Sequence, residues 1–166
     1  LSLFQFHHVP VSVDEVGYIF QAKIFASGRF YADPPPHPDF FAFENFVLRD
    51  KWYPIVAPGF PLALMCGLFL GATWIVNPLF SALCVMLVYL TAKKMCDERV
   101  ARVYSALMLA SPFFLMLSST QLPHTAAASF FLLFLYFLLE GIQGWRWRSF
   151  LFSGLALGAM ALTQPL

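Results

Sequence analysis

Charge is scarce in this chain. Of its 166 residues 11% are Asp, Glu, Lys or Arg, and ten basic side chains against nine acidic ones leave a net charge of +1. That balance gives no basic excess for nucleic acid and no acidic tail. Cysteine is sparse too: Cys66, Cys84 and Cys96 are widely spaced in or beside apolar stretches, which suits small core residues better than a disulfide framework or a zinc site. A phosphate-cradling glycine loop and a G-x-S-x-G elbow are both missing, so ATP hydrolysis and serine-type acyl transfer have no support. There is no signal-peptide pattern, internal repeat or low-complexity linker. What is abundant is apolar surface, with 60% hydrophobic residues, 20 of them phenylalanine, and a mean hydropathy of +0.70. A water-soluble monomer and a disordered chain are both excluded. The chain begins at Leu1 and stops inside the apolar run Ala161 to Leu166, so a fragment of a longer protein is expected.

No charged residue occurs between Lys51 and Lys93, between Arg102 and Glu140, or after Arg148. Each gap holds at least one membrane span of about 20 residues. Four spans are expected, at about Pro78–Ala92, Val103–Ser118, Thr125–Leu139 and from Phe150 onward, forming an all-α polytopic helix bundle over residues 77–166. Lys93, Lys94, Arg99 and Arg102 cluster in one loop and Arg146 with Arg148 two spans later, which places both loops in the cytoplasm. Residues 1–53 and the loop Ser118–His124 then face outward. This parity requires that Pro54–Ile75 make no full crossing. Pro54, Pro58, Gly59 and Pro61 break its first third, so residues 54–76 are read as a short interfacial or re-entrant helix.

Residues 1–53 carry ten of the nineteen formal charges and read as a folded extramembrane loop. Ser12-Val13-Asp14-Glu15 is a capping box, Val16, Ile19, Phe20 and Ile24 mark one helical face, and Gly28 marks the stop. A short amphipathic helix on the membrane surface follows. The run Asp33-Pro34-Pro35-Pro36-His37-Pro38 is expected to be a stiff extended connector outside any ladder.

Five residues are candidates for chemistry, each with a plainer alternative. Asp14 and Glu15, adjacent acids at a helix start held against a membrane, suit proton abstraction; the same acids complement the helix dipole, and Glu15 completes the capping box. Asp14 is the better base because the cap does not employ it. Lys51 and Tyr53, in Lys51-Trp52-Tyr53-Pro54, suit a lipid phosphate with rings against acyl chain or sugar, or simply form an aromatic belt with a snorkelling lysine. His124, in the outward loop, suits a phosphate or a sugar hydroxyl, or is merely hydrated. The pair His7-His8 matches no metal-ligand signature. No metal site and no cofactor are expected; a divalent metal is compatible with these residues but unsupported by them.

Taken in order, Asp14-Glu15-Val16-Gly17-Tyr18, Gln21 to Arg29, Lys51-Trp52-Tyr53 before Ala57-Pro58-Gly59-Phe60-Pro61, Asn77-Pro78-Leu79, Ser111-Pro112-Phe113-Phe114, Pro123-His124 and Leu162-Thr163-Gln164-Pro165-Leu166 resemble bacterial membrane glycosyltransferases of the glycosyltransferase C superfamily. The similarity is to the branch containing protein mannosyltransferases and lipid A aminoarabinose transferases. The resemblance implies an integral enzyme of the bacterial inner membrane with its site facing outward. Its substrates would be a polyprenyl-phosphate sugar and a hydroxyl acceptor on protein, lipid or glycan. It also implies Asp14 as the group that binds or deprotonates the acceptor, Lys51 as the stabiliser of the departing phosphate, and inversion at the sugar carbon. Relatives often carry a second acid near position 124, where this chain has Gln121 and His124, and an arginine where it has Gln164. A transporter or flippase for a lipid-linked or small polar substrate, and a noncatalytic membrane assembly subunit, are the alternatives.

Overall fold

Ser12 opens the first helix by accepting the N–H of Glu15 on its hydroxyl at 3.2 Å. The computed structural model describes residues 10, 12–41 and 45–164, and in it α1 spans Val13–Ala26. The helix stops where Gly28 takes φ +73°: Gly28 N–H bonds Phe25 O and Arg29 N–H bonds Ile24 O, the paired closure that a left-handed glycine permits. Its apolar face is rotated from the expected one. Val16 is exposed, while Gly17, Gln21, Ala22 and Ile24 are buried. The cause is that α1 has two partners rather than one membrane surface. Tyr18, Ile19 and Ala22 pack on α2 (Gly59–Phe69), and Gly17 and Phe20 lie under a β-hairpin.

That hairpin was not expected from the sequence. Strands β1 (Phe46–Leu48) and β2 (Trp52–Pro54) pair antiparallel in the register Phe46↔Pro54, Val47↔Tyr53 and Leu48↔Trp52. Gly17 leaves room for them, since a Cβ there would already stand 3.4 Å from Pro54 Cβ. The proline-rich connector joins no ladder over residues 33–37, as expected. Ala32, just before it, exchanges backbone hydrogen bonds with Trp52 at 2.8 and 2.9 Å, and the run ends in a 3-10 turn at Pro38–Phe41.

Helix α2 has 11 residues, a rise of about 16 Å against a hydrocarbon core of about 30 Å. Pro61 falls in its first turn, where no N–H is needed. At its start a Cβ on Gly59 would stand 2.7 Å from Leu162 O, and near its end one on Gly67 would stand 2.7 Å from Val76 Cγ2 and 3.0 Å from Thr73 Cα. Both ends of α2 therefore abut the same end of the bundle.

The bundle itself contains α3 (Val76–Met95), entered through a 3-10 turn at Thr73–Ile75, then α4 (Glu98–Ala110), α5 (Pro112–Ser119), α6 (His124–Gly144) and α7 (Trp147–Thr163). Helix α6 packs between α3 and α7. With the hairpin as the only sheet among the described residues, the chain is an all-α membrane protein. Four continuous spans were expected, and one of them is broken. Thr73–Met95 and His124–Gly144 are long and apolar enough to cross a membrane. The expected span Val103–Ser118 is instead two helices bent by 63°, because Ser111 is extended and caps Phe114 N–H while Pro112 has no N–H to continue the ladder. The 17 residues of α7 rise about 26 Å. A buried apolar cluster of Ala22, Phe60, Leu64, Val76 and Ala126 joins α1, α2, α3 and α6 at the end where α3 begins.

Candidate active site

Three contacts define one end of the molecule: Gly59 against α7's last turn, His124 of α6 against Gln164 beyond α7, and Asn77 of α3 against the connector before α6. Helix α1 sits on α2 at this same end, and the hairpin packs on α1. Asp14, Glu15, Lys51, Tyr53 and His124 all belong to it. The basic loops lie at the other end, where Lys94 of α3 reaches Glu140 near the close of α6.

Asp14 and Glu15 are adjacent but differently placed. Glu15 is 3% exposed, with its backbone N–H in the cap. Asp14 is exposed, and its Oδ1 accepts from Asn45 Nδ2 at 2.7 Å. Asn45 O in turn accepts the N–H of Ile55 at 2.7 Å, so the Asp14 carboxylate is tied to the open end of the hairpin. One turn further along α1, the Tyr18 hydroxyl has its pKa pushed up by burial first and by the Asp14 charge second. It stays protonated at neutral pH, with its ring edge-on to Phe60.

Lys51 is at the hairpin's opposite end, exposed, with Nζ 4.3 Å from the centre of the Tyr31 ring. Beside it opens a 370 Å³ hollow lined by Arg29, Phe30, Tyr31 and Asp33. From Lys51 to Ile55 is roughly 13 Å of strand, and among the described residues no hydrogen bond joins Asp14, Lys51 and His124. Tyr53 is half-buried opposite Val47. Trp52 is no belt residue: its ring packs on Phe20 at 4.4 Å and Phe41 at 5.3 Å.

His124 is the first residue of α6 and exposed, and its Nδ1 lies 3.2 Å from Gln164 Oε1. With Nδ1 engaged by Gln164, Nε2 is the ring nitrogen left for another partner. Gln121 is buried, whereas His124 is exposed. His7 and His8 lie outside the described residues. Among the described residues no three of His, Cys, Asp and Glu stand close enough to share a metal ion.

Sequence reasoning missed Asn45, Tyr31 and the contacts of Asn77. A signal for the first two existed: the polar triplet Arg49-Asp50-Lys51 between Phe46-Val47-Leu48 and Trp52-Tyr53 is a hairpin pattern. Asn77 carried none, because its partners lie 43 and 45 residues away.

Residues 49–166 match the family described as dolichyl-phosphate-mannose-protein mannosyltransferase. The match takes in Lys51, Tyr53 and His124 and stops short of Asp14 and Glu15. No curated protein and no solved structure matches the chain.

Proposed function

Because this chain belongs to the dolichyl-phosphate-mannose-protein mannosyltransferase family, and is thus a membrane glycosyltransferase of the mannosyltransferase type, we propose that it moves a sugar from a polyprenyl-phosphate carrier to a hydroxyl acceptor, with Asp14 as the base. The acceptor oxygen attacks the anomeric carbon as its proton passes to Asp14, and the bond from that carbon to the phosphate oxygen breaks with its electron pair staying on the phosphate. Lys51 meets the charge that develops there.

The observation that carries this reading is that Asp14, on α1, is tied through Asn45 to the open end of the hairpin while Lys51 stands at the hairpin's other end. An in-line displacement with inversion sets the base and the leaving group on opposite faces of the sugar. In inverting glycosidases the two catalytic carboxyls stand roughly 6.5–9.5 Å apart, and a leaving phosphate adds a few ångströms. A cation beside Asp14 would serve such a displacement less well than one at the far end of the hairpin. Glu15, buried at the cap, is left as structure. His124, with Nε2 left for another partner, suits a sugar hydroxyl, which can either donate or accept.

Sidedness follows from α2. Both of its ends abut one end of the bundle, which favours residues 54–76 as an interfacial segment between an extramembrane part at 1–53 and the bundle at 77–166. The site then lies across the membrane from Lys93, Lys94, Arg146 and Arg148, facing outward, in our reading from a bacterial inner membrane. The test is Asp14→Asn in the full-length enzyme. Transfer from a polyprenyl-phosphate sugar should fall by about 10²–10⁴-fold with membrane insertion unchanged; wild-type turnover would remove Asp14 as the base.

A further inference from the structure

Asn77 is 2% exposed at the start of α3, and both N–H groups of its carboxamide are spent on one short connector: Nδ2 donates to Thr120 O at 2.5 Å and to Leu122 O at 2.8 Å. These carbonyls flank Gln121 and sit between the end of α5 and the start of α6. Helix α6 needs such a hold, since its N-cap is Pro123 and no side chain caps it. Directly along the same α3–α6 contact, Ser129 Oγ lies 2.8 Å from Phe80 O and Cys84 Sγ lies 3.5 Å from Thr125 O. Neutral polar groups at positions 77, 80 and 84 thus fix the register of α6 against α3 at the end that bears His124. Buried amide donors of this kind are hard to replace, because each carbonyl they leave behind remains unpaired away from water.

We propose that Asn77 is a positioning residue for the transfer reaction: its grip on the carbonyls either side of Gln121 sets the place of His124 in the site. This rests on the reading of His124 as a group that contacts the sugar donor. Asn77 touches no substrate, so its effect runs wholly through the connector, and on to Gln164, which His124 meets from the other side.

Two variants of the full-length enzyme in membranes test it. Asn77→Leu keeps the approximate shape and removes both donors, and Asn77→Ser keeps one shorter donor. With polyprenyl-phosphate sugar varied, Asn77→Leu is expected to raise KM about tenfold while kcat stays within about threefold, Asn77→Ser to fall between, and Asn77→Leu combined with His124→Ala to be no worse than His124→Ala alone. Independently of turnover, the rate at which diethyl pyrocarbonate modifies His124, read by peptide mass spectrometry, should change severalfold in Asn77→Leu. An unchanged rate in both variants overturns the proposal and leaves the His124 reading intact. A changed rate with a wild-type KM in His124→Ala overturns that reading instead. If KM losses from Asn77→Leu and His124→Ala multiply, or if neither Asn77 variant folds, Asn77 serves stability and the positioning role is wrong.

Discussion

The two ends of the bundle are held together by different chemistry. At the basic end the contacts are between charges: Lys94 with Glu140, Lys93 with Glu98 at 3.5 Å, and Arg102 with Glu98. The Glu98 pairs are largely exposed, so water and salt weaken them. Where α2, α3, α6 and α7 meet at the site end the contacts are neutral and mostly buried: Asn77 on two carbonyls, glycines that let backbones touch, and the apolar cluster around Phe60. Among the described residues the one ion pair near the site, Arg29 with Asp33, is exposed and lies in the loop after α1. The difference teaches a division of labour. Charged residues set which end stays on which side of the membrane, a task that needs number and sign but little geometry. Neutral groups set ångström-level placement at the end that carries Asp14 and Lys51, the two charges that our proposal assigns to substrate.

The most severe way to break this contrast after loss of the base is steric. Gly59→Leu places side-chain atoms where a Cβ alone would stand 2.7 Å from Leu162 O. The obstacle is backbone, which cannot swing aside, so α2 must separate from α7 and carry α1 and Asp14 with it. A loss of several kcal/mol is expected, seen as a lower thermal midpoint in detergent and transfer activity reduced by at least tenfold. An unchanged midpoint would show that α2 is not seated on α7 as described.

A smaller effect is expected at Lys51. Lys51→Gln removes the charge proposed to meet the developing phosphate but leaves the hairpin paired, since Lys51 lies outside both strands. One charge-assisted hydrogen bond of about 1.5–3 kcal/mol corresponds to roughly a 10- to 100-fold fall in kcat/KM. Stability should not change. If Asp14→Asn proves damaging while Lys51→Gln does not, the opposed pair fails as an explanation and the phosphate is met elsewhere.

Much of the helical frame is legible in the sequence, and the reason is that its signals are local. Ser12, Glu15 and Gly28 bound α1 through contacts within six residues, and the charge-free gaps place α3 and α6 because lipid tolerates so little else. The apolar face of α1 was misjudged because periodicity reports one partner, and α1 has two. The bend before Pro112 was readable in principle, as the residue before a proline resists the helical conformation, yet hydropathy alone ran the two helices together. Of the site, Asp14, Lys51 and His124 stand out by residue type. Their supports do not: Asn45 is 31 residues from Asp14, Gln164 is 40 from His124, and Tyr31 is distinguished only once a hairpin brings Lys51 over it.

The smallest expected effect comes from the basic end and is the sharpest test of the contrast. Lys94 Nζ contacts Glu140 and lies 5.3 Å from the Tyr136 ring, with both charged side chains about a quarter exposed. It is the best-made ion pair at that end, so if charge pairing governed the site it would show here. Lys94→Gln should cost about 1 kcal/mol or less, and Glu140→Gln the same. The double variant should be no worse than either alone, because the partner left unpaired is removed with it. KM and kcat for transfer should stay within about twofold throughout, since α3 and α6 are still pinned at Asn77 and Ser129. A tenfold change in kcat from either single variant would mean that α6 transmits its basic end to His124 as a rigid lever, and the two ends would have to be treated as one mechanical unit.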